Sequence, residues 1–197
     1  MKIKKCRSCG GKNLKFLFSL GKMSFTGKFA HNYFNSIAGD KLTLVICEKC
    51  KLVQLDRNFN PKFLYSKDYG YRTGINKTMT NHVKDVVREA ISKAKPKNKD
   101  YILDIASNDG TLLNFYSRKF NTVGIDPLIN KFRKYYKTID KKISDFFSYR
   151  VLKKNKINEK FKIVTALSMF YDLKNPNLFL KDLKKILDKD GIFFLEH

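Results

Sequence analysis

The sequence predicts an α/β fold in two parts, a small N-terminal module followed by a Rossmann-like parallel sheet. Three observations predict it. Four cysteines form two C-x-x-C pairs within the first fifty residues. The second half alternates short apolar runs with turns and helical patterns, as βαβ units do. The length of 197 residues and an apolar fraction of 43% are enough for a packed core.

The charge balance is strongly basic, with 41 Lys and Arg against 18 Asp and Glu and a net charge of +23. Such an excess is typical of proteins that bind nucleic acid or an anionic membrane. The basic residues are mostly scattered lysines, which is typical of solvated faces and disfavours nucleic acid. No run approaches the roughly 18 to 20 apolar residues of a spanning helix, and the N-terminus lacks a signal-peptide core. We therefore expect a cytoplasmic protein with no membrane partner.

The two cysteine pairs predict a structural metal site formed by Cys6, Cys9, Cys47 and Cys50. In a reducing compartment such pairs are typical of metal ligands, and four thiolates complete the tetrahedral shell of Zn²⁺. A closed shell leaves no position for a substrate, so the chemistry must lie elsewhere. The long gap between the pairs predicts an insertion at 23–39. We expect His31 at the surface of this insertion, and a substitute metal ligand is the alternative for it. Unmetallated thiols or a redox pair are the alternative.

An aromatic segment and one helix connect the module to the second half. Residues 63–72 are rich in tyrosine, and apolar residues from Ile75 to Ala94 recur at helical spacing until the Pro-containing breaker at 95–98. This breaker marks the best domain boundary. The predicted domains are therefore the metal-binding module at 1–60, the linker and helix at 61–97, and the sheet domain at 98–197.

The second half begins with the pattern of a nucleotide-binding βαβ unit. We predict a strand at 101–106, a turn at 107–110, a helix at 111–119, and a second strand that ends at Asp126. In such sites a loop of small residues lets the ligand approach the backbone, and the carboxylate accepts the ribose hydroxyls. The loop lacks the G-x-G-x-x-G pattern that binds a pyrophosphate. The pattern therefore favours a nucleoside without phosphates over NAD.

The segment Leu103 to Leu113, LDIASNDGTLL, resembles the first motif of class I S-adenosylmethionine-dependent methyltransferases. Within it, the residues SNDGTLL are similar to the motif of the sugar C-methyltransferase family, which methylates dTDP-linked keto-deoxysugars. That family also begins with a four-cysteine zinc module, which CRSCG at 6–10 and CEKCKLVQL at 47–55 resemble. The resemblance covers nearly the whole chain. It implies S-adenosylmethionine as cofactor, structural zinc, and a nucleotide sugar as substrate.

The resemblance also implies which residues hold the cofactor. The loop against the methionine portion and ribose would comprise Asp104, Ala106, Ser107, Asn108, Asp109 and Gly110, with Asn108 and Asp109 near the amino and carboxylate groups. Asp126 would accept the ribose hydroxyls. Asp145 and Phe146, after a third strand near Lys142 and Ile143, would contact adenine. Ser168 lies in the fourth strand and loop at 163–172, under the sulfonium, and a helix at 177–187 and a fifth strand at 192–197 would follow.

Ala106 departs from the family pattern, because glycine is usual at its position. A methyl group is tolerated there if φ is negative, although it reduces the space beneath the cofactor.

C-methylation requires a base that removes the proton next to the substrate's keto group. The family places this base at the end of the fifth strand, where Glu196 and His197 stand in this chain. An imidazole, with an ordinary pKa near 6.5, suits a base at neutral pH. Tyr69 and Tyr71 resemble the tyrosines that reach over the sugar, and packing between the two modules is the alternative for them.

A class I methyltransferase sheet has seven strands, and the family adds a further C-terminal domain, so we expect an incomplete domain that ends at His197. The acceptor is not encoded in the cofactor loop. An O- or N-methyltransferase on another small molecule is therefore an alternative. A zinc-ribbon nucleic-acid-binding protein with a non-catalytic fold is the rival from a different class.

Overall fold

The computed structural model describes residues 1–25, 32, 38–66 and 68–196. The strands are β1 (Leu14–Ser24), β2 (Gly39–Cys47), β3 (Val53–Leu55), β4 (Tyr101–Ile105), β5 (Asn121–Ile125), β6 (Lys141–Ile143), β7 (Phe161–Leu167) and β8 (Leu187–Glu196). The helices are α1 (Pro61–Leu64), α2 (Lys77–Ala94), α3 (Ile129–Phe132), α4 (Tyr149–Lys154) and α5 (Pro176–Ile186). None of the helices in the described ranges has the length and apolar character needed to cross a membrane.

The chain divides into two compact units, and this α/β architecture confirms the predicted fold class. The first unit contains Met1–Tyr71 and Lys174–Asn177, and the second contains Arg72–Leu173 and Leu178–His197.

The first unit is built on an antiparallel sheet of three strands in the order β1-β2-β3. The middle strand, β2, buries Val45 and Cys47. The outer strand, β1, exposes apolar side chains instead, with Phe16, Phe18 and Leu20 between 49% and 61% exposed. Of the predicted insertion at 23–39, the two ends lie in β1 and β2. His31 lies outside the described residues, as does most of the insertion.

The second unit contains a parallel sheet of five strands in the order β6-β5-β4-β7-β8. Parallel strands are covered on both faces, so their side chains form the core. Fully buried members of this core include Leu103, Ile105, Ile125, Phe161 and Val164. Because all five strands run in one direction, their carboxyl ends meet at one edge of the sheet, which we call the carboxyl edge.

The long helix α2 follows the predicted apolar pattern. Val83, Val87, Ala90 and Ala94 are buried at helical spacing. The Asn76 side chain caps the N-terminus by accepting a hydrogen bond from Met79 N at 3.1 Å, and Lys95 ends the helix in a left-handed conformation, φ 46°. Ile75 precedes the helix in a 3₁₀ turn and is exposed.

The helix predicted at 111–119 does not form, and a single 3₁₀ turn at Leu113–Phe115 stands in its place. The Asn114 side chain explains why. Its amide donates to Tyr135 O at 2.8 Å, and its carbonyl accepts from Lys137 N at 3.0 Å. These tertiary bonds fix the segment, whose Asn, Phe, Tyr and Ser residues are weak helix formers.

The last strand also differs from prediction, since β8 begins at Leu187 instead of residue 192. Leu187 pairs with Phe161 and Ile192 pairs with Ile163, so the residues between form a bulge. At Gly191 an added Cβ would lie 2.7 Å from Phe161 O, so this close approach requires glycine. The predicted third strand at Lys142 and Ile143 is confirmed as part of β6.

Candidate functional site

The four predicted metal ligands come together in the first unit. One sulfur from each of Cys6, Cys9, Cys47 and Cys50 lies within 4.8 Å of the others. The Sγ atoms of Cys6 and Cys50 are 3.6 Å apart, and so are those of Cys9 and Cys47. A tetrahedron with Zn–S bonds of about 2.3 Å has edges of about 3.8 Å, so the cluster has the size of a zinc shell.

Hydrogen-bond donors surround two of the four sulfurs. Gln54 Nε2 donates to Cys6 Sγ at 3.2 Å, and Gly11 N donates to Cys9 Sγ at 3.4 Å. Burial acts to raise the pKa of the Cys6 thiol, but hydrogen bonds from the Cys9 backbone and the Gln54 side chain outweigh it and lower the pKa to about 6. At Gly11 an added Cβ would lie 3.3 Å from two of the sulfurs. The residues therefore fit a four-thiolate zinc ion.

Arg7, which lies between Cys6 and Cys9 in the sequence, holds the first cysteine pair in place. Its guanidinium donates to Leu55 O at 2.7 Å, to Arg57 O at 2.7 Å and to Asn58 Oδ1 at 2.9 Å. These bonds connect the turn between Cys6 and Cys9 to β3 and the residues after it.

The predicted cofactor loop forms a tight turn after β4 at the carboxyl edge. Ala106, Asn108 and Gly110 all have left-handed backbones, with φ of 59°, 50° and 75°. Asp126, at the end of β5, fixes this turn because its Oδ2 accepts from Asn108 N at 3.0 Å, while its Oδ1 accepts from Leu128 N at 2.6 Å. Burial raises the pKa of Asp126 to about 6. A carboxylate thus lies between the turn and the neighbouring strand end.

Tyr136 supports the turn from below and was not predicted. Its hydroxyl donates to Asn108 O at 2.9 Å and lies 2.8 Å from Ser107 Oγ. Its ring atoms would lie 2.8 to 3.0 Å from a Cβ at Gly110, so this position excludes a side chain. Tyr136 follows Tyr135 in a lysine-rich stretch of the sequence, and no motif marks it.

Asn108 and Asp109 connect the turn to residues 72–74. Asn108 Oδ1 accepts from Thr73 N at 2.9 Å. The fully buried Asp109 accepts from Gly74 N at 3.0 Å and Arg72 Nη1 at 3.3 Å, and its other oxygen accepts from the backbone and hydroxyl of Thr111 at 3.1 and 2.6 Å. Their predicted contact with the cofactor stays a prediction, and the structure gives them this bracing role in addition.

Asp104 lies in β4 beneath the turn, and its side chain is buried. Thr165 Oγ1 donates to Asp104 Oδ1 at 2.6 Å. Burial raises the pKa of Asp104 to about 7, against the opposing effect of this hydrogen bond. Burial therefore favours the protonated form of the Asp104 carboxyl.

The remaining predicted site residues lie at other strand ends. Asp145 follows β6 and is exposed, and its Oδ1 accepts from the half-buried Phe146 at N, 2.7 Å away. Ser168 follows β7 and contacts Glu196 at the end of β8, where Ser168 N donates to Glu196 O at 3.0 Å. His197 lies outside the described residues.

The two predicted tyrosines belong to the first unit. The ring of Tyr69 packs against that of Tyr65 with centroids 5.4 Å apart, and Tyr71 is 45% exposed. Their contact with a sugar stays a prediction.

Ala106 does not have the negative φ that would make its methyl group easy to accommodate. We expect Ala106→Gly to stabilise the protein by about 0.5 to 1 kcal/mol, because a left-handed backbone costs alanine more than glycine. For a chain of this size the melting temperature should rise by about 1 to 4 °C. Ala166→Gly, in the buried part of β7, is the matched control and should lower it. A lower melting temperature for Ala106→Gly would show that the backbone of Ala106 is not strained.

Two family models match the chain. Residues 6–65 match a family described as "Putative zinc binding domain". Residues 75–197, more than half of the chain, match a family described as "Methyltransferase domain". A comparison with curated proteins gave no match.

Solved structures with a similar fold include CalS10, an amino pentose methyltransferase from Micromonospora echinaspora, with 18% identity, a TM-score of 0.48, and 62% of this chain and 52% of that chain covered. An S-adenosylmethionine-dependent methyltransferase from Clostridium acetobutylicum has 23% identity and a TM-score of 0.42, with 59% and 49% covered. Coclaurine N-methyltransferase has 16% identity and a TM-score of 0.45, with 59% and 35% covered. The chain thus spans between a third and about half of the length of these structures.

Proposed function

The chain belongs to the methyltransferase-domain family, and on that premise we propose that it catalyses S-adenosylmethionine-dependent C-methylation of a dTDP-linked keto-deoxysugar. S-adenosylmethionine and structural zinc are its cofactors. The observation that carries the proposal is the small-residue turn after β4, joined by the buried carboxylate of Asp126 to the end of β5. The acceptor is inferred from the sequence of the cysteine module and the first motif.

The order of the strands supports the proposed arrangement of the cofactor. Along the carboxyl edge β6, β5 and β4 are neighbours, so Asp145, Asp126 and the 106–110 turn follow one another in that order. Adenine, ribose and methionine are also joined in this order. Each Asp126 oxygen accepts one backbone N–H and has capacity for another hydrogen bond, which a ribose hydroxyl can supply. The residues along the carboxyl edge therefore fit S-adenosylmethionine.

The acceptor chemistry requires a group that takes the proton next to the keto group and leaves an enolate. When bound, the cofactor supplies an electrophilic methyl group. Within this proposal, Glu196, the last residue of β8, and His197, the next residue in the sequence, form the basic group. Tyr69 and Tyr71 contact the sugar. Ser168 lies at the end of β7, the strand between β4 and β8.

Mass spectrometry tests the proposed reaction. The protein is incubated with methyl-deuterated S-adenosylmethionine and a panel of dTDP-linked keto-deoxysugars. We expect the label in the sugar, on a carbon next to the keto group as located by NMR. Label on a hydroxyl or amine would instead identify an O- or N-methyltransferase, and no label transfer to any sugar would overturn the proposed acceptor.

Asp126 is tested by its effect on cofactor affinity. We expect Asp126→Ala to weaken S-adenosylmethionine binding about 10- to 100-fold, because the ribose hydroxyls lose a charged acceptor. Asp140→Ala is the matched control, since Asp140 Oδ2 also accepts a backbone N–H beside β5, from Thr122 at 2.8 Å. Calorimetry that gives the same affinity for Asp126→Ala and wild type would remove Asp126 from the site.

A further inference from the structure

Glu196 at the end of β8 is held by two side chains from different elements. Ser168 Oγ donates to Glu196 Oε1 at 3.3 Å, and Ser168 N also donates to Glu196 O at 3.0 Å. The other carboxylate oxygen, Oε2, is hydrogen-bonded to Nε2 of His82. We call Glu196, Ser168 and His82 the Glu196 cluster. Both carboxylate oxygens therefore have a fixed partner.

We propose that His82 is a positioning residue of the acceptor site, which acts by fixing the carboxylate of Glu196. The inference rests on the function proposed above and adds a residue to it. His82 belongs to α2, 114 residues away from Glu196 in sequence, and the first-motif and cysteine patterns do not include it. Its location at the carboxyl edge is where open α/β sheets bind their ligands.

The cluster is built on rigid elements. Val83, the residue after His82, is buried at 2% exposure, so the helix is fixed against the sheet at this point. Ser168 has a left-handed backbone with φ 51°, a conformation that costs a non-glycine residue energy. This conformation accompanies the two hydrogen bonds from Ser168 to Glu196. The carboxylate is therefore held in one place although it remains about one-third exposed and open to a ligand.

A pair formed only by chance between surface charges would contribute little. The chain contains such a pair on the same helix, between Arg88 and Asp85 at 2.7 Å, with both side chains more than 60% exposed. Among the residues that the structure describes, no side chain contacts this pair in the way that Ser168 contacts Glu196. Arg88→Ala is therefore the matched control for a change at His82.

The test compares two substitutions of His82. Glutamine places its amide nitrogen near the position of Nε2 and can donate to Glu196, but it cannot take up a proton at neutral pH. Alanine removes the donor. We expect His82→Ala to reduce kcat for the labelled sugar by about 10-fold or more through displacement of the carboxylate, while His82→Gln stays close to wild type. S-adenosylmethionine affinity should be unchanged in both, and Arg88→Ala should have wild-type turnover.

Further variants separate positioning from direct proton transfer. The His82→Ala/Glu196→Gln double variant should be no slower than the slower single variant, because both remove one interaction. Equal loss in His82→Gln and His82→Ala would overturn the positioning role and make the imidazole itself the base. Wild-type turnover in His82→Ala would also overturn the proposal.

NMR of the imidazole nitrogens provides a readout that does not depend on the sugar. The sequence has three histidines, so His31→Gln and His197→Asn assign the His82 signals. We expect a proton on Nε2 of His82 in the wild type, and a changed Nε2 signal in Glu196→Gln. An unchanged signal would show that the pair is not formed. If the pair is seen but no sugar is methylated, the proposed acceptor fails and the cluster stands.

Discussion

Replacing Cys47 with serine is expected to release one zinc ion per chain and to loosen residues 1–60. Cys47 is fully buried at the end of β2, and its sulfur belongs to the four-thiolate cluster. Serine cannot replace a thiolate in this shell. In zinc-finger peptides structural zinc supplies about 10 to 16 kcal/mol of apparent binding energy, which is also folding energy. The loss should therefore exceed that of any other single substitution considered for this protein.

Elemental analysis and hydrogen exchange measure the two parts of this result. Zinc content should fall from one per chain to nearly none, and exchange should accelerate in β1 to β3. Ser8→Ala is the control, because Ser8 lies within the first C-x-x-C pair but is no ligand. Wild-type protein that is purified without chelator and contains no zinc would contradict the metal site.

Asp104→Asn is expected to stabilise the protein more at pH 8 than at pH 5. The pKa of Asp104 is raised to about 7 by burial, above the unfolded value of about 3.9. The native state therefore binds the proton more tightly than the unfolded chain. In the wild type the contribution of this proton to the free energy of unfolding is fully present below about pH 4 and is lost as the pH rises towards 7. It amounts to about 1.4 kcal/mol per unit of pKa difference. Asparagine carries no charge to bury.

Guanidinium unfolding at the two pH values checks this prediction. The asparagine carbonyl can still accept the hydrogen bond from Thr165 Oγ1, so the packing is preserved. Asp145→Asn, at an exposed carboxylate, is the control and should keep the wild-type difference between the two pH values. An Asp104→Asn variant with an equal effect at pH 5 and pH 8 would show that the buried carboxyl does not titrate between them.

The features that were predicted correctly depend on local sequence. The run at 101–105 is too short for a buried helix and is followed by a turn, so it is predicted as a buried strand. The carboxylate after β5 follows from the same pattern. Each C-x-x-C pair likewise brings two of the four thiolates together within a segment of four residues. Helix α2 was predicted because its apolar spacing and its breaker lie in one continuous segment.

The features that were missed depend on contacts distant in sequence. The helix expected at 111–119 is lost to hydrogen bonds between Asn114 and residues more than twenty positions away. Tyr136 supports the turn at 106–110 from outside any motif, and His82 is hydrogen-bonded to Glu196, which lies 114 residues later in the sequence. The positive φ of Ala106 was missed because residue type alone favours the opposite conformation there.

The exposed outer strand β1 also bears on the physical behaviour of the protein in solution. Within the described part of the chain β1 is an edge strand, with Phe16, Phe18 and Leu20 exposed beside backbone groups that no other strand pairs with. This combination favours association between copies. The net charge of +23 opposes this association through repulsion between molecules. Salt screens that repulsion beyond about 8 to 10 Å near physiological ionic strength. The scattered lysines, which identify no ligand, thus contribute to colloidal stability.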